Sequence, residues 1–155
     1  MNDPFTMLAG GFAHVMGGGA VFHAFWAVLI GIIIGALPGL TATMGVALLT
    51  TLTFTMGPNV AMLVLVCVYV GAIYGGSRSA ILLNIPGTPA SAASTLDGYP
   101  LARKGLAGRA MGISTLGSWL GTLFGTLILA IFAPTFGEFA LQFGSYEMFW
   151  VALFG

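Results

Sequence analysis

The chain has 155 residues, of which 58% are hydrophobic and 5% charged, and its formal net charge is zero. With four basic residues it carries no basic patch for nucleic acid. One cysteine, Cys67, and two histidines exclude a disulfide framework and a metal-ligand cluster. No Asp, Glu, Lys or Arg occurs between Pro4 and Ser77, whereas a soluble surface needs frequent charges. Together with a mean hydropathy of +1.04, this predicts an all-α, polytopic integral membrane protein, with residues 1–155 as one domain in a lipid bilayer.

The apolar stretches predict the order of the helices. A membrane span needs about 20 apolar residues, so the chain has room for roughly four to six. The second stretch, residues 39–54, is rich in threonine, and the fourth, residues 79–96, is interrupted by an amide, prolines and a glycine. In chain order the stretches are 21–36, 39–54, 60–73, 79–96 and 111–133, with a further one beginning at Phe149.

The segment GALPGLTATMG, residues 35–45, predicts a first break within the membrane. Pro38 lacks a backbone donor, and Gly39 allows conformations that are closed to other residues. Thr41 and Thr43 would then place hydroxyl groups at the start of a new helix, where unpaired N–H groups and partial positive charge attract anions.

A second segment, residues 74–91, has the same organisation. Asn84 lies in an apolar run, where its amide needs a partner. Pro86 and Pro89 disfavour a continuous helix, and hydroxyl residues follow them. Two such breaks favour a midplane binding site in an inverted-repeat secondary transporter, with backbone carbonyls near Gly39 and Gly87 available to Na⁺. The alternative is that each break merely kinks a span, with the hydroxyls bonded to their own helix.

The charged residues predict the orientation. Arg103, Lys104 and Arg109 fall in one connector, residues 97–110. Because connectors rich in basic residues stay on the cytoplasmic side of the membrane, we expect this connector to lie in the cytoplasm. We expect Asp97 to cap a helix there or to pair with Arg103 or Lys104. Arg78, beside the second break, either binds a substrate carboxylate or reaches a lipid headgroup.

Glycines recur at helical spacing in three places. Small residues at every fourth position allow helix backbones to approach closely in lipid. We interpret the pattern as packing of helices within the chain rather than as a dedicated dimer face. The three sets are Gly31, Gly35 and Gly39; Gly71 and Gly75; and Gly117, Gly121 and Gly125.

Two stretches, GALPGLTATMGVALL and YGGSRSAILLNIPGTPASAASTLDGYPLARKGLAG, resemble the N-terminal portion of the large membrane subunit of tripartite tricarboxylate transporters, the TctA family. The resemblance runs from about Gly31 to Gly155. It implies a multi-pass carrier of the bacterial inner membrane that has no cofactor and is driven by an ion gradient, with Na⁺ as the coupling ion. It also implies a small membrane subunit and a periplasmic solute-binding protein as partners, and citrate or another small carboxylate as substrate.

The candidate substrate and ion site follows from the two breaks and this resemblance. Hydroxyl, amide and backbone N–H groups would bind the carboxylates, and backbone carbonyls the ion. The family's large subunit is several times longer, so we expect this chain to be a fragment of one. The candidate residues are Pro38, Gly39, Leu40, Thr41 and Thr43 in the first break, and Ser77, Asn84, Pro86, Gly87, Thr88, Pro89 and Ser91 in the second.

Other functions are possible for broken helices. They also build channel filters, so an ion channel or pore is one alternative. A truncated fragment that does not work alone is another. An enzyme is not expected, because the sequence contains no P-loop, no G-x-S-x-G motif and no acidic residue within its apolar stretches.

Overall fold

The computed structural model describes the backbone of residues 4–154, and their side chains except at positions 4, 5, 7, 8, 14, 15 and 18. Within this part every regular element is helical, which confirms the predicted all-α class. A short 3₁₀ turn, Pro89–Ser91, and a π-helical turn, Ala102–Leu106, join longer helices. The α-helices are α1 (Pro4–Met16), α2 (Gly18–Ala36), α3 (Ala42–Thr53), α4 (Pro58–Leu83), α5 (Ala93–Leu101), α6 (Ala107–Ala140) and α7 (Ser145–Phe154).

Three helical stretches of the described chain are long and apolar enough to cross a membrane, namely Gly19–Ala36, Pro58–Leu83 and Ala93–Ala140. Helix α3 has only 12 residues. At 1.5 Å per residue it extends about 18 Å, which is shorter than the roughly 30 Å hydrocarbon core of a bilayer. It is therefore too short to cross a bilayer alone.

The close packing in the molecule lies where α2 crosses α4, and glycine makes it possible. A Cβ atom on Gly31 or Gly35 would collide with the backbone carbonyls of Val68 or Ala72 on α4. In the reverse direction, a Cβ on Gly71 would lie 2.5 Å from the carbonyl oxygen of Val28. In lipid, such backbone contact replaces the hydrophobic effect as the force that associates helices. The predicted packing within the chain is confirmed for these glycines.

Large apolar side chains face outward rather than inward. The small core contains Ala27, Val64 and Val68, all with no exposed surface, while Phe25 and Leu48 are about two-thirds exposed. A soluble protein would hide the larger residues from water. This inverted distribution fits a protein whose outer surface contacts lipid or further membrane helices.

The predicted connector, residues 97–110, is helical rather than a loop. Pro100 lies inside α5, and Gly105, with φ of 80°, bends the chain before α6 begins. Arg103, Lys104 and Arg109 are exposed there. The prediction that Asp97 caps a helix or pairs with Arg103 or Lys104 is wrong within the described residues, because Asp97 lies inside α5 and makes no such ion pair.

Helix α6 is longer than its sequence pattern indicates. The apolar stretch 111–133 suggests about 23 residues, but the helix has 34 and continues through Pro134. Proline is tolerated within a membrane helix where neighbouring groups satisfy the freed carbonyl. Most of α6 is exposed in the described chain.

Candidate functional site

The first break forms where the sequence places it. Helix α2 ends at Ala36, and the N–H of Leu37 donates to the carbonyl oxygen of Ile34 at 3.2 Å. Gly39 then adopts φ of 93°, a left-handed conformation that side-chain-bearing residues rarely accept. The chain turns there and starts α3 at Ala42.

Two threonine hydroxyls sit at the start of α3. Thr41 is the N-cap, and its Oγ1 accepts a hydrogen bond from the N–H of Met44 at 3.3 Å. Its Oγ1 also lies 2.8 Å from that of Thr43. Capping satisfies one of the orphan donors of the first helical turn and leaves others free to bind a ligand.

The second break begins at Asn84. This residue ends α4 in the left-handed conformation, with φ of 59°, and its N–H donates to the carbonyl oxygen of Ala80 at 3.2 Å. Asparagine tolerates that conformation better than most residues, which explains an amide at this position. Its side chain is exposed.

Thr88 and Ser91 hold the next turn together. The N–H of Thr88 donates to Ser91 Oγ at 3.2 Å, and Ser91 Oγ donates to the carbonyl oxygen of Thr88 at 2.8 Å. Thr88 Oγ1 donates to Ser91 Oγ at 3.3 Å. Both residues are buried. The Ser91 hydroxyl is thus engaged within its own turn and acts as a support.

The two breaks meet at Gly87. A Cβ atom on this residue would collide with the carbonyl oxygen of Gly35 and lie 2.9 Å from the Cα of Gly76. Only glycine lets the second break pass this close to the end of α2. The contact fixes Thr88 and the residues after it beside the start of α3.

A cavity of about 240 Å³ lies between the two breaks. Drug-sized ligands occupy pockets of about 300–1,000 Å³, so this cavity suits a smaller molecule. None of its lining residues is charged, and the polar side chains among them carry hydroxyl groups. The lining consists of Thr41, Ala42 and Thr43 from the first break, Tyr69 and Ile73 from α4, and Thr88, Pro89 and Ala90 from the second break.

Comparison with known proteins identifies the family of this chain. The sequence profile of the Tripartite tricarboxylate transporter TctA family matches residues 21–155. The chain belongs to the TctA family. It is also 41% identical to an uncharacterized 52.8 kDa protein of Agrobacterium vitis, named for its position 3′ of ttuC′ in the TAR-I region. The match covers 100% of this chain and 31% of that relative, so the chain spans about a third of its length. No solved structure matches the chain.

In this TctA-family chain, four of the twelve predicted site residues line the cavity: Thr41, Thr43, Thr88 and Pro89. The others lie around it or away from it. Pro38, Gly39 and Leu40 shape the first turn, and Gly87 and Ser91 support the second. Ser77 is buried within α4 and donates to the carbonyl oxygen of Tyr74 at 2.8 Å, while Asn84 and Pro86 are exposed. Ligand binding by any of the twelve stays a prediction.

Sequence reasoning missed Tyr69 and Ile73, the two α4 residues in the cavity wall. The available signal was weak: Tyr69 is the single hydroxyl-bearing residue in the aliphatic run 60–73. A tyrosine in a span usually marks the membrane interface. Here Tyr69 also lines the cavity.

Arg78 makes contacts within the described chain that the sequence did not predict, and its two predicted roles, with a substrate carboxylate or a lipid headgroup, stay predictions. Its Nη1 donates to the carbonyl oxygen of Met111 at 2.8 Å, and its Nη2 donates to Thr115 Oγ1 at 2.7 Å. The guanidinium also lies over the ring of Tyr74, 4.1 Å from its centroid. Its buried Nε has no partner in the part of the chain that the structure describes. Arg78 therefore joins α4 to α6.

Proposed function

We propose that this chain forms part of the large membrane subunit of a carrier that takes small carboxylates, such as citrate, across the bacterial inner membrane. An ion gradient, with Na⁺ as the coupling ion, drives uptake. A small membrane subunit and a periplasmic solute-binding protein complete the system. The chain itself performs no chemical conversion. Membership of a transporter family supports this proposal.

The observation that carries the proposal is that residues from two separate helix breaks, three of them threonines, line one cavity. Thr41 and Thr43 come from the first break and Thr88 from the second. The start of α3 adds backbone N–H groups that have no carbonyl partner in their own helix, together with the positive end of the helix dipole. These groups suit a carboxylate at membrane depth better than a cation or an apolar ligand.

The packing of α2 on α4 suggests how the site would move. Their backbones are in contact through Gly35 and Gly75, so the two helices should move as one body. Alternating access in secondary transporters is largely a rigid movement of one bundle past another around a fixed site. Exposure of the cavity to either side would then need no rearrangement inside the α2–α4 pair.

Uptake of labelled citrate by the assembled transporter in proteoliposomes, with and without a Na⁺ gradient, tests the proposal. Thr43→Val and Thr88→Val remove hydroxyls with little change in volume. A hydrogen bond to a charged group contributes about 1.5–3 kcal/mol, so each variant should weaken apparent affinity by roughly 10- to 100-fold.

Thr51→Val is the matched control. Thr51 lies on α3, and its hydroxyl donates to the carbonyl oxygen of Leu48 at 2.9 Å, away from the cavity. Its uptake should equal that of the wild type. Wild-type uptake in a Thr43→Val and Thr88→Val double variant would refute the site. Flux that never saturates with citrate would instead indicate a pore.

A further inference from the structure

A second, larger cavity lies between α4 and α6. Its volume is about 470 Å³, compared with about 240 Å³ for the cavity between the two breaks. Tyr69 and Ile73 line both cavities, and no other residue of the described chain does so. The α4–α6 cavity is lined by Tyr69, Val70, Ile73 and Tyr74 from α4, and by Thr115, Ser118, Trp119 and Thr122 from α6.

Tyr69 and Ile73 form a partition between the two cavities. They are four residues apart, so their side chains lie one above the other on one face of α4. Val70 and Tyr74 each follow one of them in sequence and are turned by about 100° around the helix axis. These two line only the α4–α6 cavity. A path around α4 therefore leads from the cavity between the breaks, past the partition, into the α4–α6 cavity.

Tyr69 is the larger member of the partition, and no polar contact fixes it. Its side chain is 46% exposed in the described chain, and its hydroxyl makes no hydrogen bond there. Tyr74, one turn away, is held in place instead. Its ring lies 4.1 Å from the guanidinium of Arg78, and its hydroxyl lies 3.5 Å from Thr115 Oγ1. The two cavities are thus separated by a ring that is not tied to its surroundings.

The α4–α6 cavity has groups of its own that suit an anion. The hydroxyl of Ser118 makes no hydrogen bond in the described chain. Tyr74 and Thr115, both in the cavity wall, contact the guanidinium of Arg78, which no acidic side chain of the described residues neutralises. A ligand with a carboxylate at each end would find donors in both cavities, provided that it can pass Tyr69.

We propose that Tyr69, supported by Ile73, determines which carboxylates the carrier accepts by limiting their length. This inference rests on the proposed function, because it concerns the ligand of the same site. With Tyr69 in place, a ligand is confined to the cavity of about 240 Å³, which suits short di- and tricarboxylates. Without the ring of Tyr69 the two cavities join, and a longer dicarboxylate extends from the start of α3 toward α6.

Binding of dicarboxylates of increasing chain length, from succinate to suberate, to the assembled membrane subunits tests the partition. The rise in unfolding temperature with ligand concentration gives each affinity, without selection by a solute-binding protein. In the wild type, affinity should fall as the chain lengthens and the ligand outgrows the cavity. Tyr69→Ala should bind suberate at least about tenfold more tightly than the wild type does, because each methylene group buried in the opened space contributes about fourfold.

Two variants control for the identity of the limiting group. Tyr69→Phe keeps the ring and should keep the wild-type preference for short chains. Val70→Ala is the matched control, because Val70 adjoins Tyr69 in sequence but lines only the α4–α6 cavity. It enlarges that cavity without opening the partition, so its preference should also equal that of the wild type. The partition is overturned if Tyr69→Ala retains the wild-type preference, or if Tyr69→Phe or Val70→Ala accepts suberate as readily as Tyr69→Ala does.

Citrate uptake separates this inference from the proposed function. If the wild-type transporter takes up citrate and Tyr69→Ala keeps the wild-type length preference, only the partition fails. If no carboxylate is taken up by the wild type or raises its unfolding temperature, the proposed substrate class fails, and the partition fails with it. Should Tyr69→Ala not yield folded protein, Tyr69→Leu takes its place. Leucine is smaller than tyrosine but fills more of the space than alanine, so the shift toward longer chains should be in the same direction and smaller.

Discussion

Two sets of glycines share a four-residue spacing but have opposite surroundings. Gly35 of α2 and Gly75 of α4 press against the backbone of the facing helix, where a Cβ atom would collide with carbonyl groups. Gly117, Gly121 and Gly125 of α6 have open space at the corresponding position within the described chain. The four-residue spacing therefore creates a surface that a second helix can approach closely, but the spacing alone does not predict whether a second helix packs there. Packing within the chain is confirmed for the first set and not seen for the second.

Replacement of Gly35 by Ala should have the largest effect of the changes considered. Its methyl group would collide with the carbonyl oxygen of Ala72, and neither backbone can move without separating α2 from α4. Overpacking of this kind costs about 3 kcal/mol. We expect a marked fall in the thermal unfolding temperature of the assembled transporter and a low yield of folded protein.

Gly121→Ala is the control for this comparison. A Cβ atom there meets nothing within 4 Å in the described chain, so stability should stay at the wild-type level. An equal loss in both variants would mean that α6 is packed against another helix in the assembled transporter. The contrast between the two glycine sets would then disappear.

Local backbone chemistry explains which parts of the structure could be predicted. Pro38 and Pro86 are each followed by glycine and interrupt helices, whereas Pro100 and Pro134 lie inside helices. The end of α2 and the two breaks therefore followed from the sequence, but the single helix α4, which joins the predicted stretch 60–73 to the start of the stretch 79–96, did not. Convergence of the breaks did not, because it depends on Gly87 fitting against Gly35. The contribution of Tyr69 to the cavity also depends on how α4 is rotated against its neighbours. Periodicity in one helix contains no information about that rotation.

Arg78 illustrates the same limit at longer range. Its partners Met111 and Thr115 are 33 and 37 residues away in sequence. The local sequence shows a cation beside a helix break, and both predicted roles, a carboxylate or a headgroup partner, assumed that it faces a ligand. The structure uses it between two helices. Residues whose partners lie on another element are those that sequence reasoning is least able to assign.

Arg78→Lys should have an intermediate effect on stability. Lysine is a single ammonium group, so it cannot donate to Met111 and Thr115 while stacking flat on Tyr74. Interhelical hydrogen bonds in membranes contribute up to about 1.7 kcal/mol, and we expect a loss of about 1–2 kcal/mol in the free energy of unfolding. Measurement of reversible unfolding in bicelles would show it.

Thr115→Val and Thr126→Val sharpen that test. Thr115 accepts from Arg78, whereas Thr126 lies further along α6 and only donates to the carbonyl oxygen of Thr122 at 2.8 Å. Thr115→Val should reproduce part of the Arg78→Lys loss, and Thr126→Val should not. If Arg78→Lys keeps full stability but abolishes citrate uptake, the arginine contacts the substrate rather than clamping α6 to α4.

The smallest expected effect distinguishes backbone from side-chain roles at Asn84. The sequence predicts that Asn84→Ala impairs uptake more than expression, as an amide ligand would. Its left-handed φ of 59° and exposed side chain favour a conformational role instead. Alanine in that conformation costs about 1 kcal/mol, whereas glycine costs little. Asn84→Ala should therefore lower the unfolding temperature slightly, and Asn84→Gly should match the wild type in both stability and citrate uptake. Uptake lost in both variants at unchanged stability would show that the amide binds a ligand, and the cavity between the breaks would then have to extend to the end of α4.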